Sequence, residues 1–229
     1  MNSPGFPVGN ALKSKNYLAS LKKKIADQPN HPRHQGVKMQ AHHVISAEGM
    51  KNSGLSERIR DLGYDINHTK NLVFIPCTLQ GACYLGVQPH RGNHTALADP
   101  DAYDDDTEPD DYHEMVTRKL TGLDLPLSKD CPGDDDSKHV KVIKGLNDLS
   151  AEIVEFIQDA PGKAPLTNIA RFFAPESKIG CGGVDSVTQH PRNVHCAVGR
   201  DHFGRQGPRQ SPENIEFKKG IAYTLRVGK

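Results

Sequence analysis

The sequence has no run approaching the roughly 18 consecutive apolar residues that a membrane-spanning helix requires, which excludes a span of that kind. Its first residues, Met-Asn-Ser-Pro-Gly-Phe-Pro, lack the basic-then-apolar pattern of a secretory leader, so export by the general secretory route is not expected. Apolar residues make up only 35% and the mean hydropathy is −0.62, which predicts a soluble, loop-rich protein with a modest core. There is no internal repeat, no coiled-coil heptad pattern and no CxxC pair. The five cysteines are odd in number and irregularly spaced, so a disulfide framework is not expected either.

What is present is histidine, twelve in 229 residues, a length that holds one elaborated domain or two small ones. The net charge of +1 conceals a strong asymmetry. Residues 99–111 and Asp134, Asp135 and Asp136 are acidic. Lys13, Lys15, Lys22, Lys23 and Lys24 near the N-terminus are basic, as are Arg192, Arg200, Arg205, Arg209, Lys218, Lys219 and Arg226 in the last third. Basic faces of this sort suit a phosphate backbone, although any single lysine is also ordinary solvated surface.

Apolar spacing predicts helices over residues 10–27, 53–62 (Ser56 as N-cap, Gly63 past the C-terminus), 111–120 and 138–159, the last through Val140, Ile143, Leu146, Leu149, Ile153, Phe156 and Ile157. Residues 37–46 and 72–75 read as extended, 81–92 as a loop, 168–173 as a helical turn and 215–227 as one or two strands. The acidic, proline-containing stretch 99–111 reads as an exposed insertion. The implied organisation is a helical N-terminal element (1–36), a core (37–122), a Pro/Gly/Asp-rich linker (123–137) and a C-terminal helix with a Gly/Arg/His-rich extension (138–229).

Adjacent histidines on a strand point to opposite sides, so His42 and His43 can divide their labour, one toward a metal and one toward a water or substrate. A neutral imidazole is a natural general base near pH 7, and a metal stabilises charge that develops on a phosphodiester. His90 and His94 are four apart, a spacing that lets two imidazoles face one ion from a helical turn. Taken alone, either pair is equally well read as ordinary strand or surface histidine.

The order Ala41-His42-His43-Val44-Ile45, Gly63-Tyr64-Asp65-Ile66-Asn67, Asn71-Leu72-Val73, Ile75-Pro76 and His90-Arg91-Gly92-Asn93-His94 resembles the AHH family of nucleases. That family lies within the HNH, or His-Me finger, superfamily, which includes the nuclease colicins and endonuclease VII. The resemblance implies an α+β fold with a ββα-metal core holding one divalent ion such as Mg²⁺ or Zn²⁺. It implies His42, His90 and His94 as metal ligands, His43 as general base, Asn71 as the residue that braces the loop and orients the base, and Arg91 as a phosphate-holding group. Asp65 and Asn67 are assigned to turn structure. Ser46 stands where relatives often carry proline, and the acidic stretch delays the helix expected after the last histidine. The aromatic of that helix is then either Tyr103 or Tyr112, and His113 is either a further ligand or a plain helix-surface residue.

Cys181, His190, His195, Cys196 and His202 fall in a Gly-rich stretch of little apolar content, which a structural Zn²⁺ would staple, although the spacing matches no standard finger. Cys77 reads as a buried thiol. The functional expectation is a low-specificity, metal-dependent DNA endonuclease. As the resemblance implies, it would be a bacterial toxin or effector with a cognate immunity protein, made in the cytoplasm and delivered by a specialised system into a target cell. The alternatives are a zinc-stapled, non-catalytic nucleic-acid-binding module and an RNase of the same fold.

Overall fold

A computed structural model describes residues 6–90, 109–128, 130–131, 133–167, 170–173, 214–218 and 223–229. The architecture is α+β: a two-stranded antiparallel sheet among helices. Strand β1 (Met39–His43) pairs with β2 (Leu72–Pro76) in a register that sets His42 opposite Val73 and His43 opposite Leu72. All five β2 residues are buried. The outer edge of β2 meets the C-terminal residues, where Phe74 N–H donates to the Lys229 carbonyl (2.7 Å) and Gly228 N–H donates to that of Leu72 (2.6 Å). An exposed strand edge is thereby covered.

Between the strands lie helices α2 (Ala47–Asn52) and α3 (Ser56–Asp61), and beyond β2 comes α4 (Leu79–Leu85). Neither α2 nor α4 was expected. Each is too short for apolar periodicity to emerge, and each begins at a side-chain cap: Ser46 accepts from Gly49 N–H, and Thr78 accepts from Gly81 N–H. Gly86, in the left-handed region at φ +67°, ends α4 inside the span read as a loop. In α3, Ser56 is the first helical residue and Leu55 occupies the cap position, while Gly63 has the positive φ expected past the end.

The helix expected over residues 10–27 is shorter, α1 (Tyr17–Ile25), burying Leu21 and Ile25. Its anticipated first turns are irregular instead, with Asn10 bridging in parallel to Asp65. Helix α5 (Pro109–Thr121) buries Tyr112, Met115, Val116 and Leu120 and packs on α2 at Gly49. A Cβ on Gly49 would lie 2.6 Å from a Val116 methyl, so the approach of the two helices requires glycine. Helix α6 (Asp135–Asp159) starts at the cap Asp134 and buries Val142, Leu146, Leu149, Ile153, Val154 and Ile157 along one face. Val140, counted toward that face from the sequence, is exposed because it lies off the stripe.

Residues 214–218 and 223–229 contain no strand, contrary to expectation. They attach through a few backbone bonds, such as Glu216 N–H and Phe217 N–H to the Gln35 carbonyl, and through buried Ile215, Phe217 and Leu225. These side chains join one apolar cluster with the buried faces of β1, β2, α1, α5 and α6. No described helix is long and apolar enough to cross a membrane.

Candidate active site

The alternation of β1 sends the two histidines to different partners. His42 faces the segment after α4 and the first turn of α5. Its Nδ1 lies 3.1 Å from His90 Nε2, and its Nε2 lies 2.8 Å from the Tyr112 hydroxyl. His43 faces the turn before β2, with Nε2 3.1 Å from Asn67 Oδ1, and its ring lies 4.5 Å from that of Tyr17. Both histidines are buried, and both line one cleft with Lys13, Tyr17, Arg33, Gln40, His90 and His113.

Hydrogen-bond bookkeeping sets the protonation of each ring. The single Tyr112 proton goes to the Val44 carbonyl at 2.6 Å, so the phenol oxygen accepts from His42 Nε2–H. The lone pair of neutral His42 is therefore on Nδ1, facing His90. Gln40 Oε1 lies 3.1 Å from His90 Nδ1, an arrangement in which that nitrogen donates and His90 Nε2 is left to face His42. With the His90 proton on Nδ1, the two facing nitrogens, 3.1 Å apart, can both turn lone pairs toward one cation. Imidazole nitrogens each about 2.0–2.1 Å from a tetrahedral ion are about 3.3 Å apart, close to the observed separation. The pair thus fits a divalent metal, with Tyr112 and Gln40 orienting the rings from behind. Burial, with Lys13 adding to it, pushes His90 down to about 3, so the ring is neutral at pH 7.

His43 is fixed with equal definition. Asn67 Oδ1 also accepts from Ser14 N–H (2.8 Å), while its Nδ2 donates to the Leu12 carbonyl (2.8 Å) and to Asp65 Oδ1 (2.9 Å). This leaves the amide one orientation, and His43 Nε2 must donate to it. Neutral His43 then carries its lone pair on Nδ1. Burial lowers its pKa to about 4; the Asn67 bond and Asp65 oppose the shift, and Lys13 reinforces it. An imidazole held neutral, in one tautomer, beside a cation site can accept a proton from water.

Asn71, fully buried, accepts from Ile45 N–H (2.7 Å) and Ser150 Oγ (2.9 Å), and donates to the carbonyls of Ile45 (3.0 Å) and Ile66 (2.8 Å). These bonds tie it to the chain just after the histidine pair. The amide that meets the His43 ring is that of Asn67, a residue assigned above to turn structure before catalysis. Tyr112, on the delayed helix, is the aromatic that meets His42; Tyr103 lies outside the described residues. His113 is not a plain surface residue: it is 9% exposed, lines the cleft and has Nδ1 2.8 Å from Ser46 Oγ.

Arg91 and His94 lie outside the described residues, as do Cys181, His190, His195, Cys196 and His202 and most of the acidic stretch 99–111. Among the described residues, no group of three or more His, Cys, Asp or Glu side chains is arranged to hold a metal, so His42 and His90 supply two donors and no third. Cys77 is buried, as expected.

The family model AHH, described as a nuclease family of the HNH/ENDO VII superfamily with conserved AHH, matches residues 20–153, more than half of the chain. No curated protein and no solved structure matches it.

Proposed function

The chain belongs to the AHH family, a nuclease family of the HNH/ENDO VII superfamily, and from that premise we propose that it is a metal-dependent endonuclease hydrolysing DNA phosphodiester bonds with little sequence specificity. The observation that carries this reading is the pairing of two functions in one cleft. His42 Nδ1 and His90 Nε2 face each other at 3.1 Å, and in the same cleft His43 is neutral with Nε2 committed to Asn67.

In this reading β1, β2 and a following helix form a ββα-metal core, and His42, His90 and His94 hold one divalent ion, Mg²⁺ or Zn²⁺. When bound, that ion stabilises negative charge on the phosphate and on the departing oxygen. His43 takes the proton of the attacking water at Nδ1. The water oxygen forms a bond to phosphorus as the bond to the leaving sugar oxygen breaks. Asn67 holds the base in its working tautomer, Asn71 braces the strand exit, and Arg91 grips phosphate oxygens. Backbone-centred chemistry of this kind reads few bases, which supports low sequence specificity.

The resemblance to toxin-type AHH domains supports a role as an antibacterial effector, delivered into a target-cell cytoplasm and neutralised by a cognate immunity protein. The catalytic test is cleavage of plasmid, single-stranded DNA and RNA with Mg²⁺, Mn²⁺, Ni²⁺, Zn²⁺ or chelator, comparing wild type with His43→Ala. Activity should require metal, favour DNA and collapse in the variant while metal content and fold persist. His43→Ala cutting as well as wild type would leave a non-catalytic binding module as the better reading. Growth arrest on expression, relieved by co-expressing the neighbouring reading frame, tests the effector role.

A further inference from the structure

The cleft has a wall that the family match does not cover. Residues 9–18 precede the matched span, yet Lys13, Tyr17 and Leu18 line the cleft with His42, His43 and His90. This arm is anchored to the core. Gly9 N–H donates to the Arg60 carbonyl (2.9 Å), Asn10 N–H to that of Tyr64 (3.1 Å), and Ile66 N–H to that of Asn10 (2.8 Å). A Cβ on Gly9 would lie 2.0 Å from the Tyr64 carbonyl oxygen, so the approach needs a residue without one.

The anchor reaches the catalytic base through one side chain. Asn67 donates to the carbonyl of Leu12 and accepts from the N–H of Ser14, gripping the backbone on both sides of Lys13, and the same Oδ1 accepts from His43 Nε2. Lys13 and the base are therefore held to one amide.

Two cations line the cleft among the described residues, and they differ in commitment. Arg33 donates to the Met39 carbonyl (2.7 Å) and lies over the Phe74 ring (4.8 Å), a structural role. Lys13 is exposed, and no described carboxylate lies within ion-pair distance of it. Asp65 Oδ1 accepts from the backbone and side-chain N–H groups of Asn67. Lys13 lines the same cleft as His43 and His90.

We propose that Lys13 is a substrate-positioning residue: its ammonium takes a non-bridging phosphate oxygen of the nucleic-acid strand in the cleft, and Asn67 sets its distance from His43. This rests on the nuclease reading for its substrate class and adds a phosphate contact supplied from outside the family core. An ammonium on a flexible stem serves such a contact as a point charge.

The test is binding of a labelled 20-base-pair duplex to the full chain in chelator, across a salt series, for wild type, Lys13→Ala, Lys13→Arg and Lys15→Ala. Lys15 is exposed on the same arm but does not line the cleft. Lys13→Ala should weaken binding about 5- to 10-fold at low salt and reduce the slope of log Kd against log salt by about one. Lys13→Arg should restore both, and Lys15→Ala should change neither appreciably. In turnover with metal, Lys13→Ala should raise KM while kcat stays within about threefold. Equal binding and slope for Lys13→Ala and wild type, or equal losses for Lys13→Ala and Lys15→Ala, would overturn the proposal. Because binding is read in chelator, a wild-type chain that binds DNA and never cuts it would remove the nuclease reading while leaving the Lys13 contact measurable.

Discussion

Asn67 Oδ1 accepts from His43 Nε2 at 3.1 Å, and this one contact determines which imidazole nitrogen is free to take a proton. Asn67→Ala removes it, together with the grip on Leu12 and Ser14. The ring is then free to change tautomer and rotate, and misplacement of a reacting group by about 1 Å can cost up to about 100-fold in rate. We expect kcat to fall by about that factor with a rise in KM, since the Lys13 arm loosens too. His43→Ala should lose about 10²- to 10⁴-fold in kcat, the range for general-base removal. An Asn67→Ala enzyme with unchanged kcat would show that His43 is oriented by something else.

The metal reading depends on the groups behind the two imidazoles. Gln40→Leu removes the oxygen that holds the His90 Nδ1 proton, and Tyr112→Phe removes the acceptor for His42 Nε2–H. Each should weaken divalent-ion affinity about 10- to 100-fold, as loss of such outer partners does. Titration calorimetry with Zn²⁺ reads this directly, and affinities equal to wild type in both variants would argue against a metal between His42 and His90.

Acid should destabilise the metal-free fold in a defined window. Burial lowers His31 to about 4, with His34, Arg33 and Lys229 adding to the shift, and His43 and His90 move the same way. The unfolded chain binds these protons near the ordinary value of about 6.5, before the folded chain does. Stability from keeping the rings neutral is thus complete above pH 6.5 and is lost as pH falls from 6.5 toward 4. The thermal midpoint in chelator should drop across that interval, and a flat profile would contradict the assigned burial.

Asn71→Ala should act on stability first. It leaves Ile45 N–H and the carbonyls of Ile45 and Ile66 without their buried partner, while the Ser150 hydroxyl keeps the Leu146 carbonyl. Each buried group left unsatisfied costs about 1–3 kcal/mol, so a loss of about 3 kcal/mol or more in urea denaturation is expected. Ser150→Ala removes only one of the Asn71 bonds and should cost about 1 kcal/mol.

The apolar run of β2 and the long helices were legible in the chain itself. β2 reads from its compact apolar run ended by Pro76, and α5 and most of α6 read from apolar residues every three or four positions, because burial of one stripe imposes that period on the sequence. The short helices α2 and α4 were not legible, since six or seven residues carry too little period and their caps resemble turn residues. The first turns expected of α1 failed for a different reason: the backbone of Asn10 bonds more favourably to residues 64–66 than to a helix of its own.

The site divides along the same line. His42, His43, Asn71 and His90 were recognisable because their order and spacing are properties of the chain. Local alternation on β1 was enough to send the two histidines apart. Which nitrogen of each ring carries the proton was decided only by the folded structure. So were the meeting of Asn67 with His43, of Tyr112 with His42 and of Gln40 with His90, the burial of His113, and the entry of Lys13 into the same cleft. Those roles depend on hydrogen bonds between residues separated by 24 to 70 positions, or on burial beneath other elements, and no local pattern encodes such meetings.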